Sequence, residues 1–427
     1  MKIAVAILRT CAVVVVASLC AWAQTSVPAE VAGPWPVGTR TLTFAGTTGG
    51  NGSVGALVRY PATTAGANAP FNTAAGARPV VVFGHGFSLQ ASLYETLYAH
   101  WASHGWVVVA PTTEQALFVG NLPRFIADMK ACVLGIRTAS ATPGNALFGS
   151  VPALVKATAM GHSFGGAAAL VAASQEPALF NGVVSMAATA TSPQNVDILT
   201  AVSLLAVPCL HMGASQDTIV PVGSNLDPIY NATPVTVSKR SVVIAGGTHG
   251  RFHQASGIDW LTEAPPSIPV EEQQRLIRRY ATSFMTSLVK RDPVWMDVFL
   301  GPTATADAGL SAQATGLAEA WMFTGGAAVQ GQPIVVAAAR RPGDTALLAF
   351  ATQTLATPTV TPLGDLFIDP ATLALTLELP VGLASWAALN ATVPVVAGLS
   401  GVSFPCQALV GSGTSFDLSD LFTITVQ

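Results

Sequence analysis

Residues 156–174 read KATAMGHSFGGAAALVAAS. The short apolar run KATAM stops at Gly161-His162-Ser163-Phe164-Gly165, and an Ala-rich stretch of helical character begins at once. A strand that turns sharply into a helix is the simplest chain path through these residues. The glycines have a physical reason to be there. A serine held on a tight, strained turn needs small neighbours, here Gly161 and Gly165, so that the backbone can fold closely and Oγ can project outward. The helix that follows points its positive end at that serine, which favours negative charge there. A bare G-x-S-x-G is common by chance, whereas one set between a strand and a helix is specific.

Outward from this turn the same alternation continues. Continuous β-branched runs recur at PVVVFGHGF (79–87), WVVVAP (106–111), GVVSMAA (182–188), VPCLHMGAS (207–215) and SVVIAGG (241–247). Unbroken apolar runs suit strands covered on both faces. Between them lie helical periods: SLYETLYAHWASHG (92–105), LPRFIADMKACVLGIRTAS (122–140), GGAAALVAASQEP (165–177) and EEQQRLIRRYATSFMTSLVK (271–290). RTLTF (40–44) and SVGALVRY (53–60), joined by Gly-rich residues, look like an antiparallel opening pair. The expected class is α/β, a mostly parallel sheet flanked by helices, spanning residues 24–300. GPTATADAGLSAQATG (301–316) reads as a linker, and residues 317–427 as a small all-β, sandwich-like domain whose one helical candidate is GLAEAWM (316–322).

In such sheets function collects at the carboxyl ends of strands. A serine nucleophile needs amide donors for the negative charge that develops on the substrate oxygen. One is expected from the N–H of Phe164. The other is expected from the N–H of Phe87, in the turn Gly84-His85-Gly86-Phe87-Ser88 that follows the run PVVVF. An acid and a base are expected later in the chain. Asp217 follows the run VPCLHM and His249 follows SVVIA, each at a strand end. His249 is expected to take the proton from Ser163, with Asp217 orienting the imidazole. Asp197 and Asp227 follow no strand-like run and read as surface or capping residues. His253 competes with His249 but lies further from the strand end. His85, His162 and His211 read as structural. The histidines form no metal-binding pattern, and no metal or other cofactor is expected.

The 427 residues carry only 10% charged and 51% apolar side chains, with a net charge of −3. No Lys/Arg cluster is present, which argues against nucleic acid as a partner. Lys2, Arg9, the apolar stretch CAVVVVASLC (11–20) and Ala21-Trp22-Ala23 read as an export signal over residues 1–23, so a secreted protein, extracellular or periplasmic, is expected. Past it no run of about 18 apolar residues would make a membrane span in the mature chain. Cys132, Cys209 and Cys406 then remain, at unrelated spacings, and read as buried small hydrophobes. The short gap between GVVSMAA and VPCLHM leaves little room for a large lid. An open groove for a small or polymeric ester is expected, with the segment bearing Phe252 and Trp260 as one wall.

The turn HGFS (85–88), the elbow GHSFGG (161–166), the acid segment GASQDTIVPVGSNLDPIY (213–230) and the base segment GGTHG (246–250) fall in an order that resembles the α/β-hydrolase superfamily. The resemblance is to cutinase-like polyester hydrolases and to dienelactone hydrolase and platelet-activating-factor acetylhydrolase relatives. It implies a serine esterase with Ser163, Asp217 and His249 as triad and Phe87 and Phe164 as oxyanion donors. Two features depart from the polyester hydrolases. SMAATATSP (185–193) lacks their aromatic residue after the strand that follows the nucleophile helix, and Phe164 stands where they carry Met. Ser163 also replaces the dienelactone hydrolase cysteine. A lipase or phospholipid acyl hydrolase would use the same triad. An inactive surface-binding protein would need no triad at all. The C-terminal module resembles domains of secreted bacterial proteins, which implies no chemistry of its own; attachment to a surface or polymer is a separate expectation for it.

Overall fold

A computed structural model describes residues 28–191, 193–254, 263, 265–291, 295–325, 327–382 and 385–427. The export signal and Trp260 lie outside the described residues. Contacts divide the chain into two units: residues 29–285 with 308–314, and residues 286–307 with 315–427.

The first unit is built from β1 (Val37–Ala45), β2 (Ser53–Pro61), β3 (Gly66–Ala67), β4 (Val80–Gly84), α1 (Glu95–Ser103), β5 (Val107–Pro111), α2 (Leu122–Ala141), β6 (Ala157–His162), α3 (Phe164–Gln175), β7 (Phe180–Met186), α4 (Ile198–Ser203), β8 (Cys209–Ala214), α5 (Leu226–Ala232), β9 (Lys239–Ile244), α6 (Val270–Phe284) and β10 (Leu310–Gly316). Among the described residues these strands form one sheet in the order β10-β9-β8-β7-β6-β4-β5-β2-β1-β3. β4 to β9 run parallel, and β1 and β2 form the antiparallel pair expected from RTLTF and SVGALVRY. Every residue of β4, β5, β6, β8 and β9 is buried, as strands covered on both faces are.

Alternation along β4 assigns the layers. Val80 and Val82 share a core with residues of α2 and α3, while Phe83 packs on the opposite face against Tyr94, Tyr98 and Trp101 around α1. α2 starts under an Asn121 cap, whose side chain accepts from Arg124 N–H. α4 starts under Asp197, which accepts from the Thr200 amide and hydroxyl, the capping role its position suggested.

Two expectations about the chain's organisation change. Residues 301–316 are not a linker, because Leu310–Gly316 is a strand at the edge of the main sheet, where the Ala245 amide bonds Gly309 O at 2.9 Å. The boundary falls at 285 rather than 300. The small polar residues carry no hydrophobic period, so edge pairing to β9 was invisible in them. GLAEAWM is not a helix either. Trp321 opens β11 (Trp321–Gly325), whose antiparallel pairing with β12 (Pro333–Ala339) overrides the local helical preference of Leu, Ala and Glu.

The second unit is all-β beyond residue 315. It adds β13 (Thr345–Ala351), β14 (Thr354–Thr361), β15 (Gly364–Ile368), β16 (Leu373–Pro380), β17 (Trp386–Thr392), β18 (Ser403–Ser412), β19 (Ser415–Leu418) and β20 (Phe422–Thr425). Among the described residues the larger sheets are β11-β12-β17 and β16-β13-β18-β19, with β20 also on β18. Alternate residues of both meet in one core: Ile334, Val336 and Ala338 from the first, and Ala346, Leu348, Phe350, Ala408 and Val410 from the second.

Candidate active site

Ser163 stands between β6 and α3 with φ 55° and ψ −116°, a conformation that costs a non-glycine residue about 1–3 kcal/mol. The surroundings hold it there. Its amide bonds Met186 O at 2.8 Å, and its carbonyl accepts from Ala167 N–H at 3.0 Å, opening the helix. Both flanking glycines are forced by close approach. A Cβ on Gly161 would sit 2.2 Å from Gly165 O, and one on Gly165 would sit 2.1 Å from Gly84 O and 2.6 Å from His85 O. The bare Cα of Gly165 therefore lets the elbow lie directly against the HGFS turn at the end of β4. Phe164 supplies one of the first amides of α3, which find no acceptor within their own helix.

Asp217 and His249 come from the ends of adjacent strands, β8 and β9. Their loops are joined by the Gln216 amide on Gly247 O and the Ser215 amide on Ile244 O, both 2.9 Å. Asp217 Oδ2 lies 2.8 Å from His249 Nδ1, and both side chains are buried. Asp217 Oδ1 accepts from the amides of Ile219 (3.0 Å) and Val220 (2.6 Å), so the carboxylate is fully used and its direction is set. With Nδ1 facing the acid, Nε2 is the ring nitrogen left for proton transfer. Its ring centroid is 4.5 Å from that of His162, the neighbour of Ser163. The competitors are occupied elsewhere. His253 Nδ1 faces Gln254 O at 2.8 Å, His211 lies between Ser185 and Thr233, and Asp227 is exposed.

Phe87 and Phe164 are brought together, their rings 5.8 Å apart and edge to face. Phe87 is the second residue of a tight turn closed by the Leu89 amide on Gly86 O at 3.1 Å, with Ser88 at φ 58°. Beside it a loop was missed by the sequence reading. Leu117, Phe118 and Val119 are 61%, 67% and 66% exposed, and Phe118 adopts φ 58°. The Phe118 amide bonds Ser88 Oγ at 2.7 Å, and Gly120 lies so close that a Cβ there would be 2.9 Å from the Phe87 ring. The signal in the sequence was four apolar residues in a row, Ala116 to Val119, where a loop belongs.

Phe252 corrects an expectation. It is fully buried and stacked on the His162 ring at 5.3 Å, so it backs the imidazole instead of lining a rim. Two supports for the His249 turn also carried no sequence signal. Gln273 of α6 grips Thr248 through both amide atoms, at 3.0 and 2.8 Å, and the Glu263 carboxylate accepts the His249 amide and, at 2.9 Å, the Gly250 amide. Burial raises the Glu263 carboxyl, against the opposing pull of those amides. Burial, aided by His249 and His253, pushes His162 far below the ordinary imidazole range, so it is neutral. The thiols are inert for the same reason: all three described cysteines are buried and unbridged, and burial pushes Cys406 up to about 12. Among the described residues no cluster of His, Cys, Asp or Glu could hold a metal ion, and no helix is long and apolar enough to cross a membrane.

Comparison with known proteins gives partial matches. A chlorophyllase family model matches residues 67–188, which contain the HGFS turn and the elbow. Cutinase 1 of Thermobifida cellulosilytica is 30% identical over 90 residues, 21% of this chain and 28% of the relative. Cutinase of Thermobifida fusca (strain YX) is 30% identical over 90 residues, 21% of this chain and 24% of the relative. The chain thus matches about a quarter of the length of these curated relatives. Together with a mostly parallel sheet flanked by helices, these partial matches support a relation to the α/β-hydrolase superfamily.

Proposed function

We propose that this chain is a secreted, cutinase-like serine carboxylester hydrolase acting through Ser163, His249 and Asp217. The observation that carries the reading is the 2.8 Å contact between Asp217 Oδ2 and His249 Nδ1, at strand ends beside the elbow. Asp217 holds the imidazole with Nε2 as the basic atom and stabilises the charged ring. His249 takes the Ser163 hydroxyl proton as Oγ attacks the ester carbonyl. The amides of Phe87 and Phe164 receive the oxyanion, each donor lowering the barrier by about 3 kcal/mol. His249 then protonates the departing alcohol, leaving an acyl group on Ser163. Water, deprotonated by the same imidazole, releases the acid. The exposed Leu117–Val119 loop beside Phe87 favours esters with an apolar chain.

Replacing Ser163 by Ala is expected to lower kcat on a short p-nitrophenyl ester by about 10⁴-fold or more. It should also abolish covalent labelling by a fluorophosphonate. Turnover near the parent level would sink the proposal, and an unlabelled parent chain would favour a surface-binding protein without activity. The same apolar loop favours a second reading, a lipase or phospholipid acyl hydrolase. Rates on soluble short-chain esters set against emulsified long-chain lipids separate the two. For the all-β unit we propose attachment to a surface or polymer, tested by adsorption of the Ser163→Ala chain to an insoluble polyester.

A further inference from the structure

The proposed reaction needs two amides from separate segments aimed at one oxygen, and a buried tyrosine lies between those segments. The Gly86 amide donates to Tyr94 Oη at 3.0 Å, and Tyr94 Oη lies 2.8 Å from His162 Nδ1. An amide can only donate, so it takes a lone pair of the phenol oxygen, and in the tautomer with Nδ1 unprotonated the imidazole accepts the phenolic proton. One hydroxyl thereby joins the residue before Phe87 to the residue before Ser163.

The other side of Gly86 is held as well. Its carbonyl faces His85 Nδ1 at 2.9 Å and accepts from Leu89 N–H at 3.1 Å, while His85 Nε2 faces Thr113 O at 2.8 Å. The Gly86–Phe87 peptide is trans, so its N–H points opposite to its C=O. With the carbonyl drawn into the turn, the Phe87 N–H must point out of it. Gly86 is thus clamped at both ends, and the Tyr94 contact bonds it to the nucleophile's segment. The Tyr94 ring is fully buried, with its centroid 4.8 Å from Phe83, 6.3 Å from Tyr98 and 5.9 Å from His162, so the hydroxyl has little freedom.

We propose that Tyr94 is a positioning residue that sets the spacing of the two oxyanion donors by bridging the Gly86 amide and His162. This rests on the serine-hydrolase reading of the site. The Tyr94 hydroxyl acts through the backbone segments that carry Phe87 and Ser163, to which it is bonded.

Tyr94→Phe removes one oxygen and keeps every ring contact. Misplacing an oxyanion donor by a fraction of an ångström should lower kcat by about 10-fold or more, with KM within about twofold of the parent. An alkylboronic acid, which forms a tetrahedral adduct on the serine, should inhibit Tyr94→Phe more weakly by about the same factor as kcat/KM falls. A merely structural residue would instead lower kcat in step with the folded fraction and leave boronate affinity of the folded enzyme unchanged.

A second pair of variants covers the case in which Tyr94→Phe folds poorly. His162→Asn keeps an acceptor near the position of Nδ1, and His162→Leu does not. The Asn variant should retain more kcat, and adding Tyr94→Phe to the Leu variant should cost little more. An equal loss in both His162 backgrounds, or boronate inhibition unchanged in Tyr94→Phe, overturns the proposal. A parent chain that neither hydrolyses the ester nor labels at Ser163 fails the functional reading instead, before any Tyr94 variant is measured.

Discussion

Asp217 shows how much one side chain does at this site. Each of its oxygens has a fixed task, Oδ2 on His249 Nδ1 and Oδ1 on two amides of its own loop. Asp217→Asn can keep the shape while its amide group presents a donor where an acceptor is needed, which favours the wrong imidazole tautomer. On the proposed mechanism kcat should fall by about 10³–10⁴-fold while fluorophosphonate labelling slows in parallel. A loss below about tenfold would mean that another group orients the base. Asp217 and His249 were legible in the sequence because each follows an apolar run at a strand end. Tyr94, Gln273 and Glu263 were not, since each works through a partner 14 to 68 residues away in the chain.

At the level of elements, the site exists because α3 lies directly against the end of β4. Gly165 makes this possible. A methyl group there would meet Gly84 O at 2.1 Å and His85 O at 2.6 Å, both backbone atoms that cannot swing aside. Gly165→Ala should therefore force helix and strand apart, costing about 1–3 kcal/mol of stability and most of the activity. Gly223→Ala is a fitting control, because nothing lies within 4 Å of its added Cβ, and its effect should stay within about 0.5 kcal/mol. Urea titrations and ester turnover on both variants check the contrast. Comparable stability in the two would mean that the packed contact yields easily.

Across the molecule, stability carries a pH signature of the buried histidines. Burial lowers His100 and His211 to about 3 from an ordinary 6.5, and both sit in the unit that contains the site. Between those values the unfolded chain binds protons that the folded chain does not, so stability is full above pH 6.5 and declines as the pH falls toward 3. Each residue should contribute a slope of about 1.4 kcal/mol per pH unit. His211→Asn should flatten the decline by about that amount in urea titrations at stepped pH, and an unchanged slope would show that His211 is charged in the folded state.

What could be read from residue order alone was whatever short-range physics dictates. Val-rich runs demanded strands buried on both faces, the 3.6-residue periods of 95–103, 122–141 and 270–284 demanded helices against them, and glycines around Ser163 demanded a sharp turn. The folded chain alone decided the rest. It placed the edge strand at 310–316, turned Phe252 inward, exposed Leu117–Val119 beside Phe87, and set one phenol oxygen between Gly86 and His162. These outcomes depend on close packing between distant segments, where a few tenths of an ångström choose the partner, and no local propensity encodes that choice.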